Sequence, residues 1–268
     1  GAIAYGLRMQ REIKTQETAG TALENTEALF SAENWGLGFG AEGTQPTGTA
    51  SAEKLKEYNA YYVGAAEEKK IYLTFDCGYE NGNSSAILDA LKKHNAPATF
   101  FVVGTRVKEG AEVLKQEVAQ GCEIGNHTWD HANLAKLSMK KVNKQYDKTA
   151  DLVKKLVGYD ITLLRPPYGA ISAKMRKKLK HPMVLWNTDT LDWKSKNTKA
   201  IMKEIKKNVK DGDIILMHDI HPTTVEALKK VLPWLVKNDY DILTVSELAK
   251  RKGAVMHDGK AYGGFTGN

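Results

Sequence analysis

From residue 70 onward, short strand-like segments alternate with longer helix-like segments, and this alternation is what most constrains the fold. Apolar runs rich in β-branched and aromatic residues are typical of buried parallel strands, and they lie at residues 71–76, 98–103, 122–127, 162–166, 183–188, 213–218 and 241–245. Amphipathic segments with helical periodicity lie between them, at residues 84–94, 107–120, 138–157, 172–180, 198–210, 223–238 and from Ser246. This order predicts an α/β fold with a parallel sheet flanked by helices.

The number of these units indicates how the sheet closes. Seven or eight strand–helix units in roughly 190 residues favour a distorted (β/α)7-8 barrel, and an open doubly wound sheet is the alternative. Residues 1–68 are polar and then glycine-rich and lack the alternation, so we expect an N-terminal extension packed on the barrel. Residues 69–252 are predicted to form the main domain, and the glycine-rich residues 253–268 a flexible tail.

Composition and charge exclude several classes of protein. With 42% hydrophobic residues, the chain can bury a sizeable core. The net charge of +7 is spread over helix-like segments, which is typical of solvated helix faces; weak attraction to anionic wall polymers is the alternative. No basic stretch carries the interleaved aromatic residues that stack bases, so nucleic-acid binding is not expected. We expect a monomer.

The sequence contains no apolar run long enough to cross a bilayer. Nor does it begin with a signal-like stretch, and Gly1-Ala2 resembles the edge of a trimmed chain. We therefore expect that an export signal or membrane anchor has been removed from this chain.

Polar clusters lie at the carboxyl ends of five of the predicted strands. They are Asp76-Cys77, His127 with His131, Arg165-Pro166-Pro167-Tyr168-Gly169, Asp189 with Asp192-Trp193, and Leu216-Met217-His218-Asp219. In parallel α/β folds the carboxyl ends of the strands meet at one edge, where sites are assembled. The sequence therefore predicts that the five clusters converge.

The two histidines four residues apart, His127 and His131, are the strongest sign of a particular chemistry. At this spacing both imidazoles project from one side of a helical turn, so a single cation can bind both. Surface histidines that cap a turn are the alternative.

The other polar residues complete a hydrolytic site. A divalent metal on the imidazoles would polarise a carbonyl oxygen and acidify a bound water. We expect Asp76 to act as general base, with Arg165 keeping it ionised and oriented. His218 is expected to act as general acid, held in its protonated form by Asp192. Structural alternatives are a helix cap for Asp76 and a simple ion pair for Arg165.

Three further residues are expected to bind the reacting group. A backbone N–H of the turn at Tyr168 would stabilise an oxyanion. Trp193 and Leu216 would form the walls of a small apolar pocket sized for a methyl group, although they can also be simple core residues. The whole set describes metal-assisted hydrolysis of an acyl group.

These motifs resemble those of the NodB-homology polysaccharide deacetylases, the fourth carbohydrate esterase family. The matching segments are Thr74-Phe75-Asp76-Cys77-Gly78, His127-Thr128-Trp129-Asp130-His131, Arg165-Pro166-Pro167-Tyr168-Gly169, Asp192-Trp193-Lys194 and Leu216-Met217-His218-Asp219. The resemblance implies a distorted (β/α) barrel that removes acetyl groups from N-acetylated sugars. It implies that Asp76 is the base, that His218 is the acid, and that His127 and His131 bind the metal. It also places the Tyr168 N–H at the oxyanion, and Trp193 and Leu216 around the acetyl methyl group. We expect Pro166 and Pro167 of the same motif to contact the substrate.

Position 77 departs from the family pattern, because most members carry there a second Asp that is the third metal ligand. A Cys77 thiolate would bind zinc well, and its softness favours zinc over harder divalent ions. Alternatively, Cys77 points away and leaves a weaker site of two histidines. Zinc is the metal we expect, with cobalt or manganese as alternatives. A Cys77–Cys122 disulfide is not expected, since their strands should not be neighbours.

A narrower resemblance concerns the substrate. Asn34-Trp35-Gly36, residues 56–64 and Tyr79-Glu80-Asn81-Gly82 are similar to the muramic-δ-lactam deacetylases of spore-forming bacteria, which act on N-acetylmuramic acid in spore-cortex peptidoglycan. Residues 186–197 are more similar to peptidoglycan N-acetylglucosamine deacetylases. The favoured function is therefore metal-dependent N-deacetylation of N-acetylmuramic acid in peptidoglycan strands, in the cell wall or spore cortex. Alternatives are deacetylation of N-acetylglucosamine, chitin-like polymers or acetylated xylan, and, from another class, a non-catalytic module that binds wall glycans.

Overall fold

The computed structural model describes residues 69–79, 82–247 and 255–264, and the backbone of a short antiparallel pair of strands, Leu37–Gly38 with Thr47–Gly48. Apart from that pair, the predicted N-terminal extension, residues 1–68, lies outside the described residues. Within the described ranges, no helix combines the length and the apolar character that a membrane span requires.

A parallel sheet forms the centre of the main domain. Its described strands are β1 (Lys69–Cys77), β2 (Thr99–Val102), β3 (Glu123–Asn126), β4 (Met183–Val184), β5 (Thr188–Asp189), β6 (Asp213–His218), β7 (Tyr240–Leu243) and β8 (Ala261–Tyr262). The order of the larger sheet is β3-β2-β1-β6-β5, and β7 pairs with the first half of β1. All these pairings are parallel.

Single-residue bridges bend the sheet towards closure. Leu164 bridges in parallel both to Asn126 at the end of β3 and to Met183 in β4. β4 in turn pairs in parallel with β8, and Gly264, just beyond β8, bridges back to Asp213 at the start of β6. The predicted α/β fold is confirmed, with a parallel sheet that curls into a distorted barrel.

Helices connect the strands. They are α1 (Asn83–Lys93), α2 (Gly104–Val107), α3 (Ala111–Ala119), α4 (Met139–Val157), α5 (Ala173–Lys178), α6 (Asp192–Ser195), α7 (Thr198–Asn208) and α8 (Pro222–Lys237). The longest, α4, begins at Ser138, whose hydroxyl accepts the N–H of Lys141, and ends at Gly158 with a left-handed φ of 70°. These are the ordinary N-terminal and C-terminal caps of a helix. Neighbouring helices contact one another in the order α7, α8, α1, α3, α4, α5.

Two predicted strands differ from the structure. Residues 162–166 contribute only the bridge at Leu164, because Pro166 and Pro167 have no N–H to continue a ladder. Residues 183–188 are divided into β4 and β5. The division has a physical cause: Leu185 donates its N–H to Tyr262 in β8, whereas Asn187 donates to Ile214 in β6, so the backbone changes partner between them.

The C-terminal residues 255–264 do not form the flexible tail that we predicted. Residues 261–262 are strand β8, and Tyr262 is 1% exposed. Met183 N donates to Lys260 O at 2.8 Å, and Leu185 N donates to Tyr262 O at 2.8 Å. This segment is ordered because it covers the otherwise open edge of β4 and buries an aromatic ring. The rest of the predicted tail, residues 253–254 and 265–268, lies outside the described residues.

Gly125 in β3 shows how closely the interior is packed between β3 and β2. A Cβ at this position would overlap Cδ1 and Cε1 of the buried Phe101 ring in β2. We therefore expect Gly125→Ala to lower the free energy of unfolding by about 1–3 kcal/mol through overpacking. Urea denaturation measures the loss.

A second substitution tests the cause of that loss. Phe101→Leu makes room beside position 125, so Gly125→Ala should cost less in the Phe101→Leu background than in the wild type. Equal costs in the two backgrounds would show that the ring is not what excludes a side chain at position 125.

Candidate active site

The predicted clusters meet at the carboxyl ends of the strands. Asp76 is the last residue but one of β1, and its register partner in β6 is His218. His127 directly follows β3, and Arg165 follows the bridging residue Leu164. Because the strands are parallel, these ends lie at one edge of the sheet, and four separate segments of the chain bring their side chains together.

The Asp76 carboxylate lies at the centre of this group. Its Oδ1 accepts a hydrogen bond from Arg165 Nη1 at 3.1 Å, and its Oδ2 lies 3.3 Å from His127 Nε2 and 3.8 Å from His218 Nε2. Burial alone would raise the pKa of Asp76, but its interactions with His127, Arg165 and His218 outweigh burial and lower that pKa below its ordinary value. Asp76 is therefore ionised at neutral pH, as a general base must be.

Arg165 is a fully buried cation that is held from several sides. Nη2 donates to Leu185 O at 2.9 Å, and Nε donates to Val184 O at 3.3 Å. The guanidinium carbon lies 4.3 Å from the centroid of the Phe101 ring. A buried charge requires an opposite charge, and here Asp76 provides it. The structure thus places the predicted Arg165–Asp76 pair in direct contact.

His127 is buried, and its orientation is fixed. Nδ1 lies 2.7 Å from Arg165 O, so the proton resides on Nδ1 and the Nε2 lone pair faces Asp76 Oδ2. Burial lowers the pKa of His127 to about 4 despite the nearby carboxylate, so the ring is neutral at neutral pH. Two acceptor atoms then face each other at 3.3 Å, which is the arrangement expected around a cation.

His131 lies next to His127 but not on a helix. The two ring centroids are 4.9 Å apart with an interplanar angle of 71°. The predicted helical turn is wrong: residues 127–131 form a loop in which Thr128 and His131 have φ values of 72° and 61°. His131 Nδ1 also lies 3.2 Å from Tyr168 Oη. The imidazoles meet because of this loop, and not because of helical spacing.

Cys77 does not join the two histidines. Its thiol donates to Asp219 Oδ2 at 2.8 Å, and the side chain is fully buried. Successive residues of a strand point to opposite faces, so Cys77 lies on the other side of β1 from Asp76. Burial, followed by the nearby Asp219 and Glu117, raises the pKa of the Cys77 thiol well above its ordinary value. A neutral, buried thiol is a poor ligand, so the arrangement favours the alternative in which Cys77 points away.

The described residues contain no group of three His, Cys, Asp or Glu side chains arranged as a complete metal site. The donors at this edge are the two imidazoles, with the Asp76 carboxylate facing His127. Both cysteines are free thiols, and β2 lies between β1, which contains Cys77, and β3, which follows Cys122.

Asp219 has no role among the predictions made from the sequence, but the structure shows a clear one. Its carboxylate accepts hydrogen bonds from the Cys77 thiol, the Ser84 hydroxyl, Gly78 N at 2.7 Å and Tyr79 N at 3.2 Å. Asp219 thereby connects the segment that follows Asp76 to the end of the strand that carries His218. Its position directly after His218 was the only available signal.

His218 and Asp192 form a second pair, in which the carboxylate is buried and the imidazole is partly exposed. His218 Nδ1 lies 2.8 Å from Asp192 Oδ1, and the His218 N–H donates to Asp192 Oδ2 at 2.7 Å. Thr224, a residue that sequence reasoning missed, donates its hydroxyl to Asp192 Oδ2 at 2.8 Å. Burial would lower the pKa of His218, but Asp192, together with Asp76 and Asp189, outweighs burial and raises that pKa to about 9. His218 is therefore protonated at neutral pH.

The residues predicted to line the pocket lie around these groups. Leu216 is 3% exposed and shares a face of β6 with His218, two residues later. Trp193 follows Asp192 in α6 and is half-buried. Pro166 and Pro167 are buried, and Tyr168 projects at the surface with a left-handed φ of 62°. Their contacts with a substrate remain predictions.

Asp189, at the end of β5, is a further buried carboxylate near His218. Its Oδ1 accepts the N–H of Leu191 at 2.8 Å. Burial raises its pKa to about 6. This group supports the turn that leads into α6.

Comparison with known proteins is consistent with this geometry. The polysaccharide deacetylase family model matches residues 64–183. The peptidoglycan-N-acetylmuramic acid deacetylase PdaC of Bacillus subtilis is 41% identical over 185 residues, which are 69% of this chain and 40% of PdaC. The peptidoglycan-N-acetylglucosamine deacetylase PgdA of Listeria monocytogenes is 39% identical over 198 residues, 74% of this chain and 42% of PgdA. The chain thus spans about two fifths of the length of these relatives.

A shorter relative matches over most of its length. The peptidoglycan-N-acetylmuramic acid deacetylase PdaA of B. subtilis is 34% identical over 227 residues, which are 82% of this chain and 86% of PdaA. Solved structures agree: that of PdaC has a TM-score of 0.67 at 41% identity and covers 70% of this chain and 93% of the solved one. A family 4 acetyl xylan esterase from Clostridium thermocellum, in complex with a cobalt ion, has a TM-score of 0.69 at 32% identity. The match covers 73% of this chain and 98% of the esterase chain.

The barrel, the site and these matches define the class of protein as a polysaccharide deacetylase. The chain belongs to the polysaccharide deacetylase family, carbohydrate esterase family 4, whose members of known structure include the peptidoglycan deacetylase PdaC.

The His218–Asp192 pair predicts a pH dependence. The ordinary pKa of His218, 6.5, is raised to about 9, so the protonated acid persists up to that pH and activity should fall as the pH rises through about 9. Asp192→Asn removes the charge that raises the pKa, so the falling limb of kcat/KM should move to lower pH. An exposed carboxylate provides the control, because Asp160→Asn should leave the limb in place. An unshifted limb in Asp192→Asn would show that Asp192 does not set the pKa of His218.

Cys77 provides a prediction about the metal. Cys77→Ala should leave the affinity for zinc or cobalt close to that of the wild type, because the thiol binds Asp219 and not the cation. It should lower the free energy of unfolding by about 1–3 kcal/mol, since Asp219 loses one of its buried donors. Calorimetric titration and urea denaturation measure the two effects. A loss of affinity as large as that of His131→Ala would restore Cys77 as a ligand.

Proposed function

We propose that this chain is a metal-dependent peptidoglycan N-deacetylase that prefers the N-acetyl group of N-acetylmuramic acid. The observation that carries the proposal is the arrangement around Asp76 Oδ2, which lies 3.3 Å from His127 Nε2 and 3.8 Å from His218 Nε2. Hydrolysis of an amide requires a base that activates water and an acid that protonates the leaving nitrogen. An ionised Asp76 beside a protonated His218 supplies both.

The donor set fits a divalent metal. The lone pair of His127 Nε2 faces an ionised carboxylate at 3.3 Å, a contact between two acceptors that a cation would relieve, and the His131 ring is adjacent. Two imidazoles suit zinc, with cobalt or manganese as alternatives, and the ionised Asp76 carboxylate beside them would favour a cation without being its ligand. The cobalt ion in the related acetyl xylan esterase is consistent with this assignment. When bound, the metal would polarise the acetyl carbonyl and acidify water.

The residues of the chain supply the proton transfers. Asp76, held by Arg165, takes a proton from the attacking water as its oxygen adds to the acetyl carbon. The Tyr168 backbone N–H would stabilise the negative charge on the carbonyl oxygen. His218, kept protonated by Asp192, then donates a proton to the sugar nitrogen as the C–N bond breaks. The products are acetate and the free amino sugar.

The apolar residues around the acid account for the choice of an acetyl group. We assign Leu216 and Trp193 to the walls of the methyl pocket, since Leu216 shares a face of β6 with His218. Pro166 and Pro167, next to the base partner Arg165, would contact the sugar. Only a short acyl chain would fit such a pocket.

The relatives support N-acetylmuramic acid as the substrate. PdaC and PdaA are both N-acetylmuramic acid deacetylases of peptidoglycan, and we extend that substrate to this chain, which would work in the cell wall or spore cortex as a monomer. PgdA, at 39% identity, favours N-acetylglucosamine of the same polymer as the second candidate.

A panel of acetylated polymers tests the substrate. Acetate release should be faster from peptidoglycan strands freed of stem peptides than from acetylated xylan or chitin oligomers. Mass spectrometry of the released disaccharides should show that the muramic acid, and not the glucosamine, has lost its acetyl group. Higher turnover on xylan would reject peptidoglycan, and loss of acetyl from glucosamine alone would select the second candidate.

Two substitutions separate metal binding from proton transfer. His127→Ala should abolish retention of zinc or cobalt, whereas Asp76→Asn should keep the metal and lower kcat by about 10²- to 10⁴-fold. Metal analysis and acetate release measure the two effects, and urea denaturation checks that each variant folds. An Asp76→Asn enzyme of near-normal activity would contradict the assigned base. A metal-loaded wild type that binds glycan but releases no acetate would favour a wall-binding module.

A further inference from the structure

The loop that carries the two histidines, residues 127–131, has a backbone that does not hold itself in place. Thr128 and His131 have left-handed φ values of 72° and 61°, a conformation that L side chains rarely adopt. The loop belongs to no helix or strand of its own. Contacts from outside the loop must therefore hold the two imidazoles next to each other.

The N–H groups of the loop show where those contacts come from. His127 N donates to Val102 O at 2.9 Å, which continues the pairing of β3 with β2. Thr128 N donates to the side-chain Oδ1 of Asn126 at 2.8 Å, a local turn. The next two N–H groups are those of Trp129 and Asp130.

Both of those N–H groups point to one side-chain atom. Gln145 Oε1, on the second turn of α4, accepts Trp129 N at 2.8 Å and Asp130 N at 3.3 Å. An amide oxygen has two lone pairs and can accept both bonds. These two donors immediately precede His131 in the chain, so Gln145 fixes the part of the loop from which the second imidazole projects.

The carbonyl groups and the indole ring of the loop are held as well. Gly104 N, at the start of α2, donates to Thr128 O at 2.9 Å, and Thr105 N donates to Trp129 O at 2.8 Å. A Cβ at Gly104 would overlap the Trp129 ring, and Lys148 Nζ lies 3.8 Å from the centroid of that ring. The loop is thus clamped between α2 and α4, with Gln145 as its side-chain acceptor.

We propose that Gln145 is a positioning residue that holds His131 in line with His127, so that one cation can bind both imidazoles. This role rests on the metal in the proposed function. Gln145 itself touches neither the cation nor the substrate, and it acts through the backbone of the histidine loop.

Substitutions of Gln145 test the role by metal binding alone. Gln145→Met keeps the length of the side chain and removes the acceptor, so the affinity for Co²⁺ should fall by about 10- to 100-fold, as for other residues that support metal ligands. Gln145→Glu keeps an acceptor for both N–H groups and should bind Co²⁺ nearly as tightly as the wild type. Gln116→Met, at an exposed glutamine of α3, is the control and should change nothing. Calorimetry gives the affinities, and the visible absorption of Co²⁺ reports the coordination.

Amide exchange gives a second readout that needs no metal. The N–H groups of Trp129 and Asp130 should exchange faster in Gln145→Met than in Gln145→Glu. If Gln145→Met does not fold, Gln145→Asn, which withdraws the oxygen by one methylene, takes its place in both measurements.

The outcomes are distinguishable. Equal Co²⁺ affinities for Gln145→Met and the wild type would overturn the positioning role and leave the proposed metal site standing. A Gln145→Glu variant that binds no better than Gln145→Met would overturn it too. A wild type that retains no Co²⁺ would overturn both the metal of the proposed function and the role of Gln145.

Discussion

The buried ion pair between Arg165 and Asp76 is the interaction on which the rest of the site depends. Removing either member of a buried pair commonly costs about 3–5 kcal/mol, because the other charge is left without a partner. Arg165 is in addition held by two backbone carbonyls and an aromatic ring, so its position is fixed by the barrel. Asp76 is thereby held ionised, with its second oxygen directed at His127 and His218.

Arg165 also connects the two halves of the site through its backbone. Its carbonyl oxygen lies 2.7 Å from His127 Nδ1 and so selects the tautomer that leaves Nε2 able to bind a cation. One residue therefore orients both the proposed base, through its side chain, and a proposed metal ligand, through its main chain. These two roles are consistent with a buried arginine at this position, despite the free energy that desolvating its charge costs.

Most of the residues that meet at the site were predictable from the sequence. Parallel strands with polar residues at their carboxyl ends put Asp76, His127, Arg165 and His218 at one edge, since that geometry follows from the strand direction alone. The pairing of Asp192 with His218 was also predictable, because both residues lie at or just beyond the carboxyl end of a predicted strand. The indole of Trp193 and the side chain of Leu216 could be placed near the acid, although not in contact with a substrate.

Other features depended on contacts between distant segments. The flexible tail was a wrong prediction because residues 255–264 look polar and glycine-rich, while the open edge of β4 that they cover is not visible in the sequence. The histidine pair was correct in position and wrong in local structure, because the loop is held by α2 and by Gln145 on α4 and not by helical hydrogen bonds of its own. No local pattern links a glutamine in an amphipathic helix to a loop fifteen residues earlier.

The sequence by itself determined the α/β fold, the edge where the site is assembled and the residues that meet there, because hydrophobic periodicity and strand direction are local properties. Only the tertiary structure decided which of these side chains face one another. Asp76 and Cys77 are adjacent in the chain, yet the pleat of β1 turns the carboxylate into the site and the thiol towards Asp219. Whether a given face of β1 points into the site depends on the strands and helices that pack on each side of it. Their positions are determined by the whole fold.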